Sequence, residues 1–246
     1  MTSHGLSRLQ MALPPKLANS LAAGSTLRCQ HTVTEEVVDL QIFGVVGEWW
    51  DGLTSQDIGH LLAKNKGKAV NVSINSPGGY TLEGIAIHNL LAAHDGHVTT
   101  TVVGDASSAA SHILQAGDHR QMLDTTTFMI HRTWGVVAAN AGELRAIAAE
   151  MDLVDKSIAK VYTNRAGQTV AYWLAKMAGP KDKDGTMYDP EAALEDGLID
   201  EIITTSAKNP DLEDTKKVAN RNDALTMAAM GRAIRMRLVD IEAAGG

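Results

Sequence analysis

The chain has 246 residues, 44% of them hydrophobic, which suits one sizeable α/β domain with a packed core and excludes global disorder. A formal charge of -7 with no run of Lys and Arg argues against a nucleic-acid-binding surface. The single cysteine, Cys29, excludes an intramolecular disulfide and fits a cytoplasmic setting, while the lack of any long apolar stretch or secretory h-region argues against membrane insertion and export.

Residues 1–35 are rich in Ser, Thr, Ala and Leu without a clean period, and read as a flexible leader or pro-segment. Val38, Leu40 and Ile42 alternate with polar Asp39 and Gln41, a strand pattern. Thr54-Ser55-Gln56-Asp57 has the form of a capping box, and Ile58, Leu61 and Leu62 follow at helical spacing. Residues 69–75 predict a strand ending in a Pro-Gly-Gly turn, 82–93 a helix, 97–103 a β-branched strand closed by Gly104, 108–116 a small-residue helix, and 125–130 another strand. This alternation implies a mostly parallel sheet. The longest predicted helix spans 141–165, with Leu144, Ile147, Met151, Val154, Ile158 and Val161 as its stripe and Gly167 as its C-cap. A short helix follows at 170–177, then a polar loop at 179–185, a helix opened by Pro190, and a strand at 198–203. The organisation is therefore a leader over 1–35, one domain over 36–204, and a polar linker with an amphipathic helix over 205–246.

Three segments carry chemistry. Asn75-Ser76-Pro77-Gly78-Gly79 joins a strand to a helix, where paired glycines allow close backbone approach and exposed amides can hold an anion. Taken alone it is an ordinary turn. Gly104-Asp105-Ala106-Ser107-Ser108-Ala109-Ala110-Ser111 opens a helix with small residues, so a serine there stands beside amides able to stabilise an oxyanion. Ser107, Ser108 and Ser111 all qualify on chemistry, and the plain alternative is an N-cap before a tightly packed helix.

A serine nucleophile needs a base, and there are nine histidines. His4 and His31 fall in the leader, His60, His88 and His112 on helices, and His94, His97 and His119 at element ends. His131 differs, because it closes the apolar run Phe128-Met129-Ile130. In open parallel sheets the functional crevice lies beyond the carboxyl ends of the strands, and Gly79, Ser108 and His131 each follow such an end. No His or Cys spacing suits zinc, and neither a phosphate loop nor a dinucleotide fingerprint occurs, so no metal or organic cofactor is expected.

Together INSPGG (74–79), VGDASSAASHILQAG (103–117), MIHRTWG (129–135) and DGTMYDPEAALEDGLIDEI (184–202) resemble, in order, the segments of the proteolytic subunit of Clp protease. The resemblance covers residues 36–204. It implies a ClpP/crotonase-like ββα spiral with a mostly parallel sheet, a long protruding helix and a C-terminal helical extension. It also selects Ser108 as nucleophile through Gly-x-Ala-x-Ser, His131 as general base, and the amides of Gly79 and Ala109 as oxyanion donors. Counting back from Ala192 gives Asp184 as the triad acid, with Asp182 and Asp189 as competitors. The expected substrate is protein or peptide, and the expected assembly a homo-oligomeric ring, heptamer or double heptamer. The region 44–63, with Glu48-Trp49-Trp50, and the extension past 204 resemble phage and prophage ClpP-like head maturation proteases. That implies processing of capsid or scaffold proteins within a bacterial cell or prohead. The alternatives are an ATP-dependent subunit degrading unfolded proteins with an ATPase partner, and a crotonase-type acyl-CoA enzyme on the same scaffold.

Overall fold

The computed structural model describes residues 30–47, 53–181 and 183–205. Strand β1 (Gln30–Val33) pairs antiparallel with β2 (Val37–Val46), so four residues expected in the leader belong to the sheet. The rest of the predicted leader and the predicted tail helix lie outside the described residues.

From β2 onward the sheet is built by crossovers. Helix α1 (Ser55–Lys64) leads to β3 (Ala69–Gly79), α2 (Thr81–Ala92) to β4 (Val98–Ser107), and α3 (Ala109–Leu114) to β5 (His119–Leu123). β2, β3, β4 and β5 run parallel in that order. The predicted capping box is present at α1, where Thr54 accepts from the Asp57 amide and the Asp57 side chain accepts from the Thr54 amide. Such a cap contributes about 1 kcal/mol. Ile58, Leu61 and Leu62 are its buried face, each contributing about 1.5–3 kcal/mol. This face belongs to one core with alternate residues of the strands, among them Val70, Val72 and Ile74 of β3 and Val98 and Val102 of β4.

β4 then divides its outer edge. Its first half, Thr99–Val102, pairs with β5, and its second half, Asp105–Ser107, pairs with β6 (Thr127–Ile130). Helix α4 (Ala141–Ala166) and α5 (Val170–Ala178) follow, then β7 (Thr186–Tyr188) antiparallel to β6, α6 (Pro190–Glu195), and β8 (Glu201–Ile203) parallel to β5. This is the mostly parallel α/β sheet that the alternation implied.

Three differences from the sequence reading have physical causes. β3 and β4 do not stop at Asn75 and Gly104 but run on to Gly79 and Ser107. Irregularities in register at Gly44 of β2 and in β4 let pairing resume past both glycine segments. β5 escaped notice because His-Arg-Gln-Met-Leu is polar, yet Arg120 is only 4% exposed. Its guanidinium donates to Asp200 at 2.6 and 3.0 Å, to Gln115 Oε1 at 2.8 Å and to the Gly197 carbonyl at 3.0 Å. Buried arginine is tolerated because its donors are met.

The stripe predicted for α4 packs only in part. Ile147 and Ile158 are buried, but Leu144 is 44% exposed. The C-terminal half anchors through Tyr162 against Trp173 of α5, with ring centroids 5.5 Å apart. A helix of this length spans roughly 40 Å, and its first six residues, 141–146, are all exposed.

Candidate active site

The carboxyl ends of β3, β4 and β6 meet on one rim. β4 ends at Ser107, and Ser108 turns the chain into α3 with φ 56° and ψ -123°. A positive φ at a non-glycine residue is strained, and strain of this kind is held only where the surroundings over-determine it. Here the Ser108 amide donates to the Met129 carbonyl of β6 at 3.0 Å, tying the turn to the strand that carries His131. The result is a hydroxyl raised above the strand end. His131 Nε2 lies 2.6 Å from Ser108 Oγ.

The other two serines are engaged elsewhere. Ser107 donates to Asp105 Oδ1 at 2.9 Å. Ser111 is fully buried, bonded to the Ser108 carbonyl and 2.6 Å from the Tyr162 hydroxyl. Among the three, Ser108 is the one that meets an imidazole.

The Pro-Gly-Gly segment comes up against this turn. Ser76 donates to the Gly44 carbonyl and accepts from the Gly78 amide at 3.1 Å, which seats the segment on the β2 bulge. Gly78 has φ 92°, and a Cβ there would stand 2.5 Å from Ser108 Cβ and 2.8 Å from Ala109 N. Glycine is therefore required, both for its backbone angle and for the approach. The amide of Ala109 begins α3 at the same place. Gly79, next along, pairs with Val46.

The acid side of the site is looser. Asp184 Oδ2 stands 3.8 Å from His131 Nδ1, an ion-pair separation too long for a hydrogen bond, and its side chain is 59% exposed. Nδ1 has no hydrogen-bond partner among the described residues. Gly185, with φ 84°, brings this loop against His131, since a Cβ on it would lie 2.6 Å from His131 Cβ. Of the competitors, Asp189 is spent as the N-cap of α6, accepting from the Ala192 amide at 2.8 Å. Asp182 lies outside the described residues.

Burial holds the His131 imidazole below the ordinary histidine value of 6.5, while Asp184 and then Asp155 pull it back up. The ring is thus neutral at neutral pH and free to accept a proton. Asp155 was not among the sequence candidates. It is 3% exposed on α4, in line with Met151, Ile158 and Tyr162 at helical spacing. A carboxylate inside an apolar stripe was the signal that could have singled it out. No group of His, Cys, Asp and Glu suited to a metal ion occurs among the described residues.

Fold and site together define an α/β protein that presents a serine hydroxyl, hydrogen-bonded to a partly buried imidazole, at the ends of parallel strands. The family model for Clp protease matches residues 31–206. An ATP-dependent Clp protease proteolytic subunit from Chlorella vulgaris is 33% identical over 157 residues, which is 62% of this chain and 76% of that protein. A mutant ClpP1 from Listeria monocytogenes has the same fold, with a TM-score of 0.56 over 68% of this chain and 91% of its own, at 23% identity. The chain belongs to the Clp protease family, a family of ClpP-type serine peptidases.

Proposed function

We propose that this protein is a serine endopeptidase in which Ser108 attacks the peptide carbonyl and His131 is the general base. The observation that carries the reading is the 2.6 Å contact between Ser108 Oγ and His131 Nε2 at a strained strand-to-helix turn. The Ser108 proton passes to Nε2 as Oγ bonds to the carbonyl carbon. The oxyanion formed is held by the amides of Gly79 and Ala109. His131 then returns the proton to the leaving amine, and water releases the acyl group from Ser108 by the same steps in reverse. Asp184 orients the imidazole and stabilises its cation, after closing the present 3.8 Å gap on substrate binding. Family membership favours a peptide over an acyl-CoA thioester as substrate.

Assembly into a ring is part of the proposal. Trp134, Val136, Leu144 and Leu153 are exposed on the segment before α4 and along its outer half, an apolar surface that suits a neighbouring copy. Within that assembly we favour processing of phage capsid or scaffold proteins, on the resemblance of residues 44–63. The specific observation on the other side is the named relative, an ATP-dependent subunit, which supports degradation with an ATPase partner.

A fluorophosphonate probe on the full chain tests the chemistry. Labelling of the parent and loss of labelling in Ser108→Ala are expected. Absence of labelling between about pH 7 and 9, where a histidine base is neutral, refutes the reading. Casein cleavage with and without an added ATPase separates the two biological roles.

A further inference from the structure

His131 is under the electrostatic influence of two carboxylates of opposite character. Asp184 is largely in solvent, whereas the Asp155 side chain is 5% exposed. A buried carboxylate incurs a large desolvation penalty unless it is paired and hydrogen-bonded. Asp155 has both. Its Oδ1 accepts from the Thr133 amide at 2.7 Å, and its Oδ2 lies 3.8 Å from Arg132 Nη1, which also reaches Asp152 at 3.7 Å.

The location of these contacts gives them their meaning. After β6 ends at Ile130, residues 131–140 belong to neither helix nor strand. Just past His131 the backbone is pinned at two points, Arg132 N–H to the Met177 carbonyl at 3.2 Å and Thr133 N–H to Asp155. The second of these depends on a single side chain. It is a charged acceptor, which makes a stronger and better aligned anchor than a neutral one.

We propose that Asp155 is a positioning residue for His131, pinning the Thr133 amide two residues beyond the imidazole with a negative charge fixed inside the protein. The inference rests on the reading of His131 as general base. The other charged and titratable groups around the ring are Asp184 on the loop before β7, His112 on α3, and the adjacent Arg132 with its partner Asp152. Of the two carboxylates, Asp184 is exposed to screening by salt and Asp155 is shielded from it. Both favour the imidazolium that forms as Ser108 attacks.

The test is the rate of fluorophosphonate labelling as a function of pH in the full-length parent, Asp155→Asn and Ser108→Ala. The amide side chain of D155N keeps an oxygen for the Thr133 amide while removing the charge, so this variant isolates the electrostatic part. The expected result is a plateau rate lower by roughly tenfold and an acid midpoint moved to lower pH, because the lost carboxylate had favoured the protonated ring. A folded D155N with the parent's plateau and midpoint overturns the inference. If circular dichroism shows D155N unfolded, D155E decides. It keeps the charge but displaces the anchor, so a slower plateau at an unchanged midpoint is expected, and a parent-like rate overturns the proposal. Failure of the parent to label, or labelling of S108A, instead removes the serine–histidine reading and this inference with it.

Discussion

Gly78→Ala puts the geometry of the site to its sharpest test. The added Cβ would stand 2.5 Å from Ser108 Cβ, 2.7 Å from the Ser107 carbonyl oxygen and 2.8 Å from the Ala109 nitrogen. Carbon atoms in contact sit about 3.5–4.0 Å apart, so Ser108 and Gly78 must separate by about 1 Å. A displacement of that size in a reacting group costs about a hundredfold in rate. The methyl group also intrudes on the Ala109 amide, one of the two proposed oxyanion donors. The backbone at Gly78, with φ 92°, adds about 1–2 kcal/mol of strain for any L residue. Gly67→Ala is the matched control, because its φ is 74° and a Cβ there meets nothing within 4 Å. Both variants carry the backbone strain, Gly78→Ala loses about 1–3 kcal/mol more in urea unfolding because of its clash, and only Gly78→Ala loses fluorophosphonate labelling per folded molecule, by about a hundredfold. Labelling of Gly78→Ala within about threefold of the Gly67→Ala rate refutes the close approach of the glycine turn to Ser108.

Peptidase activity holds as the pH drops below 6.5, the ordinary histidine value, because burial lowers His131 and the base stays neutral; a pH–rate profile with its acid limb above 6.5 contradicts this. His112, fully enclosed, is lowered to about 3 by burial and by His88 and His131. Its unfolded form takes up a proton below 6.5 that the folded form refuses, so its contribution is complete above 6.5 and lost as the pH falls. Urea unfolding is expected to show about 2 kcal/mol less stability at about pH 5 than at about pH 8, a difference that His112→Leu diminishes. The two aspartates of the acid loop separate cleanly: Asp184→Asn reduces the labelling rate by about tenfold or more with little change in stability. Asp189→Ala removes the α6 cap and costs about 1 kcal/mol while the rate per folded molecule stays the same.

Elements whose signal is local were legible in the chain. The α1 capping box, the Gly167 cap and the strand closed by His131 all depend on neighbours within a few residues, and each stands where expected. The strands that stayed hidden are those whose polarity is explained by distant partners. β5 carries Arg120, which is satisfied by Asp200, far along the chain, and β7 is three residues long and exists by pairing with β6. Likewise the stripe on α4 could be read, but which half of it would find a core could not.

The serine–histidine pair shows the same division. Strand-end position brought Gly79, Ser108 and His131 to one rim, and that much follows from alternation and spacing alone. Choosing among the serines by their surroundings took the fold, because the Tyr162 hydroxyl that engages Ser111 and the imidazole that meets Ser108 come from residues whose proximity no local pattern encodes. Asp155 is the clearest case. In the sequence it is one carboxylate within the apolar stripe of a long helix, and only the packing of α4 against the segment that follows β6 turns it into a buried charge bonded to the Thr133 amide. Local chemistry is written in the order of residues, whereas burial and long-range pairing depend on which surfaces the folded chain closes together.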